Sequence, residues 1–522
     1  MEPRPAALDV ALRHGREPIA ASVRETEGLT LWAERDAAHG WRIAAAAADP
    51  AHLTPLVGIA ERVGDHVMLH GPADPANAAA LRALLPNLRP APLGLATSAG
   101  FGDRLGLATP GHVDAVRAVS AGRAVGAERA VGAASAANAA HGVAPIFAQQ
   151  SVRENTRTGR TPQGVLDDAT LGAFLAGWTQ SVGADADHLK SEADIDAHVA
   201  AGFSFFTIDP GDHVVSEADA LEGAALAEAF EHRPPWAALD TDPADLLRRL
   251  SATTLDLGDF ALRFAPGELE RAAVKYGGAL AHVARLARHL RSRAAPEQAE
   301  LEVSVDETDT PTTLAEHAYL AIELRRLGVD WVSLAPRFVG AFEKGIDYLG
   351  DLGDLARDLD GHARVAAALG PYKLSLHSGS DKFAVYPIAV AAAGGLVHLK
   401  TAGTSYLEAL RVAGQHDPDL LHAVMRLGLE RFAEDVKSYH ISGRPERVPD
   451  LAALPGAAAL ALLEQIDARQ VLHVTFGSAL RHFGEPLKAL LRAHPDDYRA
   501  ALRRHFERHL APFVGAAKGG KA

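Results

Sequence analysis

The amino-acid sequence predicts an α/β protein built as a (β/α)8 barrel of the TIM type. Short apolar runs recur between Ala-rich helical stretches from about residue 100 onward, an alternation typical of βα units and a parallel sheet. Eight such runs can be counted, which is the number that closes this barrel. The chain has 522 residues, enough for a barrel of roughly 250 residues with additional segments. An open doubly wound sheet of six to eight units is the alternative.

The predicted strands are bounded by helical segments, one of which is expected at 112–131. The eight strands are expected at 94–104, 144–150, 203–209, 301–307, 330–336, 372–378, 396–401 and 471–477. The gap after the third strand is long for a single crossover and has apolar residues at helical spacing. We therefore expect an N-terminal α/β cap at 1–93, a catalytic barrel at 94–480 with a helical insertion at about 214–300, and C-terminal helices with a loose tail at 481–522.

Composition excludes several classes of site and partner. There is no cysteine, so a disulfide framework, a thiolate zinc site and a cysteine nucleophile are excluded, and any metal must be bound by His, Asp or Glu. The net charge of −14 argues against binding to a nucleic-acid backbone. Neither a signal peptide nor an apolar run of about 20 residues is found, so we expect a cytoplasmic protein that does not bind membranes.

Alternation of side chains predicts a polar inner face on the last four strands. In 372–378, for example, Leu374 and Leu376 share the outward face. The polar residues expected to point inward on these strands are Ser333, Arg337, Lys373, Ser375, His377, His398, Lys400, His473 and Thr475. Because barrel interiors are normally filled by branched apolar residues, this pattern favours a functional site. For any single histidine, a structural hydrogen bond to a neighbouring hydroxyl is the alternative.

Acidic and imidazole side chains also follow several strand ends. They are Asp209, Asp212 and His213 after the third predicted strand, Asp306, Glu307 and Asp309 after the fourth, and Asp381 with Lys382 after the sixth. Carboxylates and imidazoles together suit a divalent first-row metal such as Mn²⁺, Ni²⁺, Co²⁺ or Zn²⁺. The alternative is that the acidic loops cap the next helix.

At these residues the sequence resembles the tagaturonate epimerase family, also called hexuronate C4-epimerases. Eight motifs carry the resemblance and together span about residues 100–480. They are GDRLGLATPGH (102–112), FAQQSVREN (147–155), FTIDPGDHV (206–214), VDETDTPTT (305–313), LAPRFVGAFEKGIDY (334–348), LSLHSGSDKFAVYP (374–387), HLKTAGTSYLEALR (398–411) and HVTFGSAL (473–480). The first 90 or so residues carry no such motif.

The resemblance implies a divalent cation and the reversible interconversion of D-tagaturonate and D-fructuronate in hexuronate catabolism. It also implies roles for particular residues. Asp212 and Glu307 would be the two proton-transfer groups, and the metal ligands would be His213, His377 and His398. Asp209, Asp306 and Glu343 remain alternatives, because Glu307 has outward parity unless its strand ends or bulges just before it.

The reaction inverts a hydroxyl-bearing carbon β to the ketone, where simple enolisation does not acidify the C–H bond. Retro-aldol cleavage with a metal-stabilised enediolate is one route, and direct deprotonation is the other. Both need cations for the substrate carboxylate and polar groups for its hydroxyls. The candidate substrate-binding residues are Gln149, Arg153, Asn155, Arg337, Ser378, Lys382 and Lys400. A metal-dependent sugar isomerase or aldolase and a non-catalytic sugar-acid binding protein are the rival functions, and the sequence leaves the oligomeric state open.

Overall fold

The computed structural model describes residues 6–13, 15–36, 40–121, 142–401 and 403–515. The expected loose tail at 516–522 and the second half of the helix expected at 112–131 lie outside the described residues. In the part of the chain that is described, no helix is both long enough and apolar enough to cross a membrane.

The N-terminal segment forms an antiparallel sheet with strand order β1-β2-β3-β5-β4. Its strands are β1 (Arg24–Thr26), β2 (Leu29–Asp36), β3 (Gly40–Ala47), β4 (Ile59–Val63) and β5 (His66–Gly71), and its helices are α1 (Ala6–Arg13) and α2 (Pro75–Leu84). One face of the sheet packs Trp32 and Met68 against Leu8. The other face joins the core that continues into the barrel, so this segment packs against the barrel wall.

Eight parallel strands close into a barrel in the order β12-β13-β14-β15-β6-β7-β8-β9, which confirms the predicted fold class. The strands from β6 onward are β6 (Ser98–Gly102), β7 (Ala144–Ser151), β8 (Gly183–Leu189), β9 (Phe205–Ile208), the hairpin β10 (Thr254–Asp256) and β11 (Ala261–Arg263), β12 (Glu300–Val305), β13 (Ser333–Pro336), β14 (Lys373–Leu376) and β15 (Val397–Thr401). Leu93, Ala144, Ile146 and Phe205 form a small apolar cluster at the N-terminal end of the barrel.

Helices surround the barrel and fill the segments before and after it. They are α3 (Thr109–Ala121), α4 (Val152–Thr158), α5 (Pro162–Leu175), α6 (Glu192–Ala201), α7 (Gly223–His232), α8 (Pro243–Leu250), α9 (Glu268–Arg293), α10 (Leu314–Arg326), α11 (Leu352–Leu369), α12 (Tyr386–Ala393), α13 (Thr404–His416), α14 (Pro418–Asp435), α15 (Ile466–Val474), α16 (Phe476–Ala493) and α17 (Pro495–Gly515). Helices α7 to α9 and the β10–β11 hairpin occupy the expected insertion. Helix α17 packs along α3, where Arg499 pairs with Asp114 at 2.8 Å.

The prediction of a strand at 471–477 is wrong. Residues 471–474 belong to α15, and Phe476 begins α16. Ala468, Val471 and Leu472 are fully buried and stand three and four positions apart, which is helical spacing. His473 and Thr475 therefore do not line a barrel strand.

The strand that the sequence did not reveal is β8, with the sequence GADADHL. Gly, Ala and Asp are poor strand formers, so this segment contains no apolar run. It is a strand because Ala184 and Ala186 pack outward into the main core, while Asp185 and Asp187 point inward to the ammonium group of Lys400 at 3.0 and 2.6 Å.

Side-chain parity on β14 and β15 was predicted correctly. Lys373 donates to Ser98 inside the barrel, and His377 and Lys400 both reach Glu302 across the interior. Their apolar neighbours Leu374 and Leu399 belong to the outer core.

Candidate active site

Three side chains that can bind a metal converge where β8, β12 and β14 end. One nitrogen each of His188 and His377 and one oxygen of Asp306 all lie within 4.8 Å of one another. Nδ1 of His377 is 3.0 Å from Oδ1 of Asp306, and the two imidazole rings are 5.0 Å apart at 74°. We call His188, Asp306 and His377 the strand-end group.

A distortion of β8 turns His188 into this group. The pairing register between β8 and β9 shifts between Ala186 and Leu189, and His188 has a φ of 55°, in the left-handed region that non-glycine residues rarely adopt. Such bulges commonly redirect a side chain beside an active site. Because of the bulge, both Asp187 and His188 can face the barrel axis.

Two more carboxylates stand at the mouth of the barrel. One oxygen each of Asp209 and Glu307 lies within 4.8 Å of the other and of a nitrogen of His188, and Nδ1 of His188 is 3.3 Å from Oδ2 of Asp209. Asp209 is buried, whereas the Glu307 side chain is 41% exposed and 3.3 Å from Arg153. Strand β12 ends at Val305, so the outward parity expected for Glu307 does not apply.

A buried layer of charge lies below the strand-end group. Nζ of Lys400 contacts Asp187 at 2.6 Å, Glu302 at 2.9 Å and Asp185 at 3.0 Å, and its side chain is only 3% exposed. Oε1 of Glu302 is also 2.7 Å from Nε2 of His377. This contact occupies Nε2 of His377 and leaves Nδ1 as the nitrogen that faces Asp306.

The electrostatics of the site show an excess of negative charge. Burial alone would lower the pKa of His188, but Asp187 and Asp209 raise it to about 10. Burial acts in the same way on His377, and chiefly the charge of Asp306 raises its pKa to about 9. The pKa of Asp306 is lowered despite burial, mainly by His377. In the metal-free protein, protonated His188 and His377 therefore neutralise the negative charge that Lys400 alone does not compensate.

These residues fit a divalent metal. Two imidazoles and a carboxylate form a donor set that first-row metals accept, and Asp209 and Glu307 form a second close group that shares His188 with it. A cation would also replace the protons that the surplus negative charge holds on His188 and His377. The acidic residues Asp306, Glu307 and Asp309 do not cap the next helix, because α10 is capped by Thr313 with Glu316.

Some of the residues predicted from the sequence are near this group and others are not. His377, Glu307 and Arg153 belong to the mouth of the barrel, and Gln149 donates to Asp187 at 3.2 Å just below it. The side chain of Asp212 is 70% exposed and pairs with Lys190 at 2.9 Å.

The three predicted histidine ligands are not gathered together. Among the described residues, no close group of metal-ligand types includes His213 or His398. His213 stacks on His282, with ring centroids 4.1 Å apart. His398 lies deeper in the barrel, where its Nδ1 is 2.8 Å from the hydroxyl of Ser98 and burial lowers its pKa.

The remaining predicted substrate-binding residues have other surroundings. Lys382 is buried and donates to the carbonyls of Glu343 and Ile346 at 2.7 and 2.5 Å. Arg337 is partly buried and joins Thr312 through its backbone. Asn155 is buried within α4, and Lys400 is enclosed by its three carboxylates. Ser378 has a φ of 50° in the turn after β14.

Sequence reasoning missed His188, Asp185 and Asp187 because it missed β8, although the repeated Ala-Asp pattern has the period of two that marks a strand. It also passed over Glu302, whose parity with Asp306 places it inside. Lys190 and Lys344, which lie in loops, carried no such signal.

A larger cavity of about 680 Å³ lies elsewhere, between the loop 345–349 and α17. None of the strand-end donors lines it. Of its four arginines, Arg411 and Arg469 are paired with Glu464 and Asp381. The chemistry expected of this fold lies at the strand ends, so we place the active site there and not in this cavity.

The chain is similar to known epimerases over most of its length. The family model UxaE, described as tagaturonate epimerase, matches residues 51–123 and 118–513. A protein named tagaturonate/fructuronate epimerase from Thermotoga maritima is 40% identical over 442 residues, which cover 83% of this chain and 84% of that protein. The native crystal structure of fructuronate-tagaturonate epimerase from Cohnella laeviribosi superposes with a TM-score of 0.86 at 31% identity, covering 98% of this chain and 99% of that one. Its complex with two glycerols gives the same TM-score and identity.

Proposed function

Because the chain belongs to the tagaturonate epimerase family, we propose that it interconverts D-tagaturonate and D-fructuronate. The inversion takes place at the hydroxyl-bearing carbon β to the ketone, and a divalent first-row metal is required. The observation that carries the metal requirement is the convergence of His188, Asp306 and His377 within 4.8 Å.

We assign the metal to the strand-end group, with Asp209 or Glu307 as a further ligand, in place of His213 and His398. The surplus of carboxylates around His188 and His377 supports this assignment, since it favours a cation at that point. When bound, a divalent cation supplies Lewis-acid polarisation of the substrate oxygens. Glu302 orients His377 through its Nε2 contact, as partners of metal-binding imidazoles commonly do.

Glu307 and Asp209 are the carboxylates placed to move protons. One of them accepts the hydroxyl proton at the carbon to be inverted, the adjacent carbon–carbon bond breaks, and an aldehyde and an enediolate result. After the aldehyde rotates, the bond forms on its other face and the proton returns to the oxygen. The exposed position of Glu307 beside Arg153 suits contact with an arriving substrate, so we assign it the proton transfer.

The test is to incubate metal-stripped protein with D-tagaturonate and a panel of Mn²⁺, Co²⁺, Ni²⁺ and Zn²⁺. We expect D-fructuronate to form only after a metal is added, with no shift of the carbonyl position. Equal conversion without metal would refute the metal requirement, and a shifted carbonyl would identify a sugar isomerase instead.

The route is tested separately by running the reaction in deuterated water. Retro-aldol cleavage predicts no deuterium at the inverted carbon and exchange of an added aldehyde fragment into the product. Deuterium at that carbon would favour direct deprotonation.

A further inference from the structure

A hexuronate carries a carboxylate, and the site must bind it against a protein net charge of −14. Most cations near the barrel mouth are already neutralised. Lys400 has three carboxylate partners, and Lys190 lies 2.9 Å from Asp212 and 3.7 Å from Asp209. Arg104 is paired with Glu154 at 2.5 Å. Arg153 has the longer contact with Glu307, at 3.3 Å, and donates to the carbonyl of Ser438 at 3.5 Å.

Lys344 is a further cation at this mouth, in the loop between β13 and α11. Its side chain is partly buried, and among the described residues no hydrogen bond or ion pair is formed by its ammonium group. Burial and then the charge of Arg153 lower its pKa, while Glu307, Glu154 and Asp306 act in the opposite direction. Lys344 also belongs to a loop that follows a barrel strand, and such loops form the catalytic face of this fold.

The backbone that carries Lys344 is fixed on both sides. The carboxylate of Glu343 accepts from the backbone N–H of Ser442 and from Nε2 of Gln470, both at 2.8 Å. Nζ of Lys382 donates to the carbonyls of Glu343 and Ile346. This loop is thus held in place before substrate arrives, which lowers the cost of ordering it on binding.

We propose that Lys344, with Arg153, binds the carboxylate of the hexuronate. This inference rests on the proposed function. Arg153 offers a planar fork of donors that matches a carboxylate, and the Lys344 ammonium adds a second cation from the loop after β13. Among the described residues Lys344 has no ion pair that substrate would have to break, and Arg153 has the 3.3 Å contact with Glu307.

The test uses metal-loaded protein and two ligands that differ in the carboxylate. D-Tagaturonate carries it, whereas D-tagatose has a neutral CH2OH group in its place. Binding of each is measured by calorimetry, and KM and kcat are measured for D-tagaturonate. The variants are Lys344→Met, Lys344→Arg and the matched surface control Lys437→Met, whose side chain is 67% exposed and pairs with Glu434.

We expect Lys344→Met to weaken D-tagaturonate binding about tenfold or more, the scale of a charge-assisted hydrogen bond. D-Tagatose binding and metal content should stay as in the wild type, Lys344→Arg should recover most of the affinity, and Lys437→Met should change neither ligand. Wild-type affinity of Lys344→Met for D-tagaturonate would overturn the inference, as would a matching loss of D-tagatose binding or of bound metal. If the wild type binds D-tagaturonate without converting it, the proposed function is wrong. The affinities of the Lys344 variants for D-tagaturonate still test the role of Lys344 in that case.

Discussion

Two clusters in this molecule have the same kinds of side chain but opposite electrostatics. The strand-end group contains two histidines and an aspartate, and so does the cluster of Asp381, His505 and His509 beside α17. In the strand-end group, carboxylates raise the pKa of His188 to about 10. In the second cluster, burial and then the charge of His505 lower the pKa of His509 to about 3.

The difference lies in what the ring nitrogens contact, since both nitrogens of His377 face carboxylates. Nδ1 of His509 lies 2.9 Å from the carbonyl of His505, and its Nε2 accepts from the backbone N–H of Asp381 at 3.0 Å. Asp381 is also compensated by Arg469 at 3.1 Å. Proximity of ligand side chains therefore does not by itself define a metal site, because the groups that already contact the imidazole nitrogens also matter. The second cluster is a structural contact between α17 and the turn after β14.

The largest effect is expected from His377→Ala. Removing a ligand should cost more than the roughly 10–100-fold in metal affinity that follows loss of a ligand's partner, and epimerisation should be lost with the metal. Metal content after dialysis and the rate of epimer formation measure both. A fully metallated and active His377→Ala protein would exclude His377 from the site.

A smaller effect is expected from Glu302→Gln, which keeps a side chain of the same shape beside His377 but removes its charge. Metal affinity should fall roughly 10–100-fold, and added metal should restore activity. Titration with Co²⁺ followed by absorbance checks this. Unchanged affinity would show that Glu302 does not tune His377.

A smaller effect is expected from the pH dependence of metal affinity and of stability at the strand-end group. Below pH about 9 the metal-free protein holds protons on His188 and His377, so metal binding must release them and its affinity should rise with pH. Since both pKa values lie above the usual 6.5, these groups stabilise the metal-free fold below pH 6.5, and that stability should be lost progressively up to pH about 10. Thermal melting of metal-free protein between pH 6 and 10 would show it; greater stability at pH 10 would contradict it.

The smallest effect on metal binding is expected from His509→Gln. This variant should lose about 1–3 kcal/mol of stability, the range for disturbing buried hydrogen-bonded groups, and should keep its metal and its activity. Urea unfolding and metal analysis provide the measurements. Loss of metal from His509→Gln would overturn the distinction between the clusters.

The sequence predicted the barrel and the inner faces of β14 and β15 because their apolar residues alternate with polar ones. It did not predict β8, because alanine and aspartate are poor strand formers. This strand is stabilised by the contacts of Asp185 and Asp187 with Lys400 across the barrel. That pairing joins residues more than 200 positions apart and is set by barrel closure. Because β8 was not predicted, His188 was not among the candidate metal ligands, and His213 and His398 were proposed in its place.

Lys382 and Asp212 show a second limit. Both follow strand ends, as catalytic residues in this fold do, yet Lys382 is bound to backbone carbonyls and Asp212 points to Lys190 in solvent. Sequence position sets where a loop begins but not the direction of its side chains. For the same reason Lys344, eight residues after the end of β13, was not among the candidate substrate-binding residues.

Metal binding by His188→Ala and His213→Ala tests the strand-end assignment most directly, because the two variants separate it from the ligand set that the sequence suggested. Each protein is stripped, titrated with Co²⁺ and followed by absorbance and equilibrium dialysis. We expect His188→Ala to lose stoichiometric binding and His213→Ala to bind as the wild type does. Retained binding in His188→Ala together with loss in His213→Ala would contradict the assignment.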